Sequence, residues 1–289
     1  MPIGIESLPP LRLRRRTDTE RPSLGRRLLW YALWGGAALL AVGVTVVSQY
    51  PAAWAAERVA QATGRRVLLA DSQGSLWHGS ATLALTAGNG GADATVLPGR
   101  LSWSIDMLPL LTGTLRAHVT HDRALEQPVT LTVSPGSWQV EAGAVTLPAS
   151  LLQGIGAPFN TLKLDGRLRA QWTPLSGQFG RASGPGKGQP DTVQGALTVT
   201  LEQVSSSLSR VRPLGSYQAV VSFSGVSAAP AQLTLSTLAG PLSLQGQGTL
   251  GQGAHFDGVA SATPESEPQL IGLLSLLGPR DGSHYRLRF

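Results

Sequence analysis

Four stretches of this chain share one plan. "GRLSWSI" (99–105), "GTLRAHV" (113–119), "GRLRAQW" (166–172) and "GALTVTL" (195–201) each open on glycine, place leucine two residues later and then alternate. Leu101, Trp103 and Ile105 point one way, and Ser102 and Ser104 the other. The same holds for Leu115, Ala117 and Val119 against Arg116 and His118. Leu168, Ala170 and Trp172 oppose Arg167, Arg169 and Gln171, and Leu197, Val199 and Leu201 oppose Thr198 and Thr200. A helix cannot keep a period of two on one side, so each stretch is predicted as a strand with one buried face. "VTLTV" (129–133), "AQLTLST" (231–237), "PLSLQGQGTL" (241–250) and "HYRLRF" (284–289) follow the same rule.

The 35 glycines and 20 prolines suit many short strands joined by turns. Successive glycine-led stretches start 14, 53 and 29 residues apart, which excludes a strict solenoid. The expected fold is therefore mainly β: an antiparallel sheet or β-roll with one apolar face and a few short helices. "PASLLQGIG" and "PQLIGLLSLLG" (268–278) are the predicted helices within it. The second sets Leu270, Leu273, Leu274 and Leu277 on one stripe, suited to covering the apolar face. Residues 173–192, polar and rich in Gly and Pro, read as a mobile surface loop.

Ahead of the β-rich part, residues 28–47 ("LLWYALWGGAALLAVGVTVV") carry no charge. As a helix these residues would span roughly 30 Å, the thickness of a bilayer's hydrocarbon core. Trp30, Tyr31 and Trp34 lie at one end and Tyr50 and Trp54 just past the other, as interfacial aromatic belts do. Seven arginines stand against three acids in residues 1–27, so +4 of the net +6 belongs to this tail. Basic flanks stay cytoplasmic. The expected organisation is a cytoplasmic tail (1–27), a transmembrane helix (28–47) and a periplasmic β-rich domain (48–289), in a bacterial inner membrane. Ala53-Trp54-Ala55 would suit signal cleavage, but secretory apolar regions run about 7–15 residues, so a retained anchor is expected. Just beyond, "PAAWAAERVAQATGRR" reads as a short helix with Trp54, Ala55, Val59 and Ala62 on one face. A near-neutral domain behind a basic tail excludes a broad nucleic-acid surface.

Reactive chemistry finds little support. The chain has no cysteine, which removes disulfides, thiolate metal sites and a Cys nucleophile. "GQGTLG" (246–251) has dinucleotide-loop spacing but opens no helix, and "GPGKG" (184–188) lacks the remaining residues of a phosphate loop. His118, His121 and Asp122 could bind zinc only if a turn reversed the opposite orientations that strand positions three apart impose. Asp71, Asp106, Glu141 and Asp165 are scattered. No catalytic, cofactor-binding or metal-binding residue is assigned, and no cofactor is expected. In "GSLWHGSATLAL" (74–85), Trp77 shares its parity with Ala81, Leu83 and Leu85, which predicts a core side chain with His78 directed outward.

That stretch, followed by "LPGRLSWSIDMLPLLTGTLRAHV", resembles type II secretion system protein N, an inner-membrane component of the bacterial general secretion pathway. Gly74, Leu76, Trp77, Gly79, Leu101, Trp103, Leu110, Leu111, Gly113 and Leu115 carry the resemblance, which is best over residues 30–175. It implies a non-enzymatic accessory subunit. Its periplasmic domain would contact other inner-membrane secretion subunits or the outer-membrane secretin, by strand addition or through its polar face. Membrane lipid would be met through residues 28–47. Two alternatives stay open. One is a bridge-like lipid carrier, because an alternating pattern cannot tell a groove from a sealed core. The other, an outer-membrane barrel suggested by the terminal Phe289, is opposed by the long anchor and the helix at 268–278.

Overall fold

A computed structural model of the chain describes residues 24–86, 94–155, 159–179, 192–251 and 253–288. The chain divides into two units, Met1–Val47 and Ser48–Phe289. In the first, helix α1 (Leu24–Ser48) contains the whole charge-free run. The apolar side chains described on it, Trp30, Tyr31, Leu33, Trp34, Leu39 and Val42, are all exposed. Trp30 stacks against both Tyr31 and Trp34. Several α1 side chains lie outside the described set, and among the described residues no helix is long and apolar enough to cross a membrane.

The second unit opens on α2 (Ala52–Ala62). Its buried residues are Ala52 and Ala60, whereas Trp54 is exposed. The reason is local: Trp54 turns outward to meet Tyr50 edge-on at 5.6 Å, with the Arg58 guanidinium 4.7 Å over its ring. Thr63 and Gly64, the latter at φ 59°, end the helix.

Among the described residues seventeen strands follow: β1 (Val67–Gly74), β2 (His78–Leu85), β3 (Thr95–Val96), β4 (Leu101–Asp106), β5 (Leu115–His121), β6 (Val129–Ser134), β7 (Ser137–Val140), β8 (Gly143–Pro148) and β9 (Leu164–Trp172). The remainder are β10 (Leu175–Gln178), β11 (Thr192–Ser206), β12 (Gly215–Ser224), β13 (Ala231–Ala239), β14 (Leu242–Leu250), β15 (His255–Ala262), β16 (Arg280–Asp281) and β17 (His284–Arg288). Among the described residues all belong to one antiparallel sheet. The predicted strands are all present. β10 lies inside the stretch read as a loop, and residues 180–191 of that stretch lie outside the described set.

The topology is a meander. Strands β1, β2, β4, β5, β6 and β7 pair in that order. β7 and β8 are two halves of one arm, which pairs with β10 and β9 respectively. β11 receives both halves of that second arm, and β12 to β15 and then β17 continue the sequence. Neighbouring strands are therefore mostly neighbours in sequence, the arrangement that short Gly turns favour.

Register carries one face across the sheet. Ala81 opposes Leu101, Trp103 opposes Val119, and Ala117 opposes Leu131. Further along, Leu131 opposes Val140, Leu201 opposes both Leu168 and Tyr217, and Leu244 opposes Ala260. Short helices roof this face in two places. The 3-10 helix Ala149–Ile155 puts Leu151 against Leu97 and Ala124, with Leu83 and Leu85 of β2 and Val145 and Leu147 of β8 packed around them. Because β2 and β8 are distant along the meander yet meet at Leu151, this end of the sheet is rolled. The described residues hold three further helices in this unit: α3 (Met107–Leu110), α4 (Phe159–Leu162) and α5 (Glu267–Leu277). α5 matches the predicted helix. Its Leu270, Leu273 and Leu274 are buried with Leu242, Ala260, Tyr285 and Leu287.

Candidate functional site

Between the two roofs the apolar face holds a half-open cavity of about 400 Å³. Its floor is Leu168 (β9), Val199 and Leu201 (β11), Ala219 (β12), Leu235 (β13) and Leu244 (β14), all on one parity. Leu152 and Leu162 wall one side, and Leu273 and Leu277 of α5 the other. Only Ser206 and Tyr217 bring hydroxyls to the lining, and both are already used. Ser206 Oγ donates to the Leu162 carbonyl, and Tyr217 Oη donates to the Leu242 carbonyl at 3.0 Å. Burial pushes the Tyr217 phenol far above its ordinary value, so it stays protonated. Such a site offers contact area and no polar handle.

Beyond the cavity the same face continues through Trp172, Leu197, Val221 and Leu233, which are half-buried. Three tryptophans on this face lie on glycines of a neighbouring strand. Trp103 covers Gly79, Trp172 covers Gly143 and Trp138 covers Gly177, each directly opposite in register. A Cβ on Gly79 would lie 2.4 Å from Trp103 Cζ2, and one on Gly143 would lie 2.5 Å from Trp172 Cζ2. Trp103 Nε1 donates to the Leu76 carbonyl at 2.9 Å and Trp172 Nε1 to the Glu141 carbonyl at 2.8 Å. A missing side chain thus becomes a seat for an indole, and the indole's polar edge finds a backbone partner. The "GSLWHG" motif is explained by this seat. Gly74 takes φ 85° where a Cβ would strike the His78 carbonyl, and Gly79 receives Trp103. Trp77 itself is half-buried at the turn between β1 and β2, not in the core, and His78 is exposed.

A family profile described as type II secretion system (T2SS), protein N matches residues 65–288. The chain belongs to the type II secretion system protein N family. The match spans the sheet from its first strand to its last, extending through the part of the chain where the resemblance in sequence was weakest. No curated protein and no solved structure matches the chain. Family membership makes it a component of the type II secretion machinery.

The titratable residues of this protein N domain do not converge. His118 lies on the polar face, with Nε2 3.3 Å from Asp106 Oδ2 and Nδ1 3.2 Å from Thr130 Oγ1. His121 points to the opposite face, as strand parity requires, and is buried. Its Nδ1 accepts from the Arg123 and Ala124 amides, which fixes the proton on Nε2, where the ring has no partner. Burial pushes this imidazole below its ordinary value, Asp122 opposing weakly. Among the described residues no group of three or more His, Asp or Glu could hold a metal ion. Gly246 and Gly248 of the "GQGTLG" stretch lie in β14, against Phe256, and no helix follows them. "GPGKG" lies outside the described residues.

Asp71 acts structurally. It sits in the left-handed region at φ 48°, in a bulge of the edge strand β1. Arg100 grips it with Nη1 on Oδ2 at 2.7 Å and Nη2 on its carbonyl at 2.9 Å. The hydrogen bond from Arg100, helped by Gln73, holds the Asp71 carboxyl below the usual carboxylate range. A bulged edge with a clamped charge is a poor template for an added strand. Sequence reasoning found the floor strands β9, β11, β13 and β14 but not β12, although "GSYQAVVSFS" alternates Tyr217, Ala219, Val221 and Phe223.

Proposed function

We propose that this protein is a non-enzymatic accessory subunit of type II secretion that works by protein contact. Residues 28–47 hold it in the bacterial inner membrane, residues 1–27 stay in the cytoplasm and the domain 48–289 stands in the periplasm. Its partners are other inner-membrane secretion subunits and the outer-membrane secretin. The observation that carries this reading is the family match across the entire sheet, residues 65–288. The exposed Trp30, Tyr31, Leu33, Trp34, Leu39 and Val42 support the anchor, since apolar side chains of this size need a cover and lipid supplies one. Between β5 and β10, Leu131, Val133, Trp138, Val140 and Leu175 form a half-buried apolar stretch that no helix roofs among the described residues. A partner would bury it there, and tethering in one bilayer would raise the partner's effective concentration.

The test is co-purification of the detergent-solubilised full chain from secreting cells. Secretion subunits are expected to accompany the wild type, and to be lost with Val133→Asp and Leu175→Asp together. Recovery of the chain free of every secretion subunit overturns the reading. The apolar cavity favours a second reading, a periplasmic carrier of lipid, in which the sheet's greasy face is a conduit.

A further inference from the structure

The cavity of about 400 Å³ is half open and its exposed lining is wholly apolar, and covering such surface is favourable, so it suits an apolar occupant. Engineered apolar cavities of about 150 Å³ already take up benzene. The lining restricts what can enter. Its two hydroxyls donate to the Leu162 and Leu242 carbonyls and the lining exposes no polar surface, so an incoming group finds no donor or acceptor. An extended peptide would leave its backbone N–H and C=O groups unpaired there. A helix brings its own hydrogen bonds but is about 10–12 Å across with side chains, too bulky for this volume. Hydrocarbon meets both limits.

Dimensions narrow the choice. The floor crosses five adjoining strands (β9, β11, β12, β13 and β14), so it measures about 19 Å at ~4.8 Å per strand spacing. A lipid chain reaches half of a ~30 Å hydrocarbon core, or about 15 Å. We propose that the cavity between α5 and the wall of Leu152 and Leu162 binds one acyl chain of a membrane phospholipid. The chain enters along Leu197, Val221 and Leu233, and the headgroup stays outside. Hydrocarbon binding follows from the cavity alone; the membrane as its source rests on the anchor proposed above.

The test uses the full chain reconstituted in phosphatidylethanolamine and phosphatidylglycerol vesicles that contain a phosphatidylcholine with a diazirine in one acyl chain. After illumination, adducts are mapped by peptide mass spectrometry. Adducts are expected on cavity peptides containing Val199, Ala219 and Leu235, in addition to α1. Ala219→Trp fills the cavity and is expected to abolish the cavity adducts while leaving those on α1. If Ala219→Trp does not fold by circular dichroism, Leu235→Phe serves as the filling variant. Adducts confined to α1, or cavity adducts that survive filling, overturn the proposal. Cavity adducts without α1 adducts would instead overturn the anchor and leave the hydrocarbon site standing.

Discussion

Replacing Gly79 with alanine probes the device that recurs on the apolar face. The new Cβ would lie 2.4 Å from Trp103 Cζ2 and 2.8 Å from the Ser75 carbonyl oxygen. Ordinary contact begins near 3.4 Å, so the indole must retreat by about 1 Å. Overpacking of this kind destabilises by about 1–3 kcal/mol. The Trp103 Nε1 bond to the Leu76 carbonyl, 2.9 Å long, would stretch with the ring, removing a further 0.5–1.5 kcal/mol or so. Against this, an alanine reduces the entropy of the unfolded chain, a gain of roughly 0.4–1 kcal/mol. The net expectation is a loss of about 1–3 kcal/mol, readable as a fall in melting temperature of roughly 2–4 °C per kcal/mol. Urea unfolding of the full chain in detergent, followed by circular dichroism, measures it. The decisive comparison is a cycle with Trp103→Leu, in which Gly79→Ala should cost clearly less, leaving only the close approach to the Ser75 carbonyl. If Gly79→Ala destabilises equally with and without the indole, the seat is not the reason for the glycine.

Three other outcomes follow from the packing. Leu270, on the buried stripe of α5, is fully buried, so Leu270→Ala should reduce stability by about 2–5 kcal/mol in the same urea assay, and a change near zero would mean that α5 is not docked. The His121 imidazole is held neutral in the fold, while the unfolded chain takes up a proton below its ordinary value of 6.5. Stability from this group is therefore complete above that pH and falls as pH drops below it, and His121→Asn should flatten that part of a melting-temperature profile. Arg100→Ala should speed amide exchange across Leu69–Gly74 by releasing the Asp71 bulge while exchange in β11–β15 stays unchanged; uniform acceleration would argue against a local clamp.

Strand content was legible because alternation is a local signal. "GRLSWSI" and "GALTVTL" state their buried parity without reference to any partner, and α5 announces itself by Leu270, Leu273, Leu274 and Leu277. What pairs with what is a long-range property. Nothing near Gly79 in sequence says that Trp103 rests on it, and Gly177, within a stretch that reads as loop, shows its use only when Trp138 lies across it. The cavity was out of reach because it is volume left between layers, set by where α5 and the wall of Leu152 and Leu162 come to rest. The family motif was readable, yet its glycines and tryptophan report how the sheet is built and not what it binds.

In the proposed function the sheet meets other secretion subunits through its unroofed apolar face. Photo-crosslinking in intact, secreting cells tests this directly, with p-benzoyl-phenylalanine placed at Val133 or Leu175 on that face and at Gln194 on the opposite one. Adducts to type II secretion subunits from Val133 and Leu175, and not from Gln194, are the predicted result. Equal labelling from both faces, or none to any secretion subunit, would contradict it.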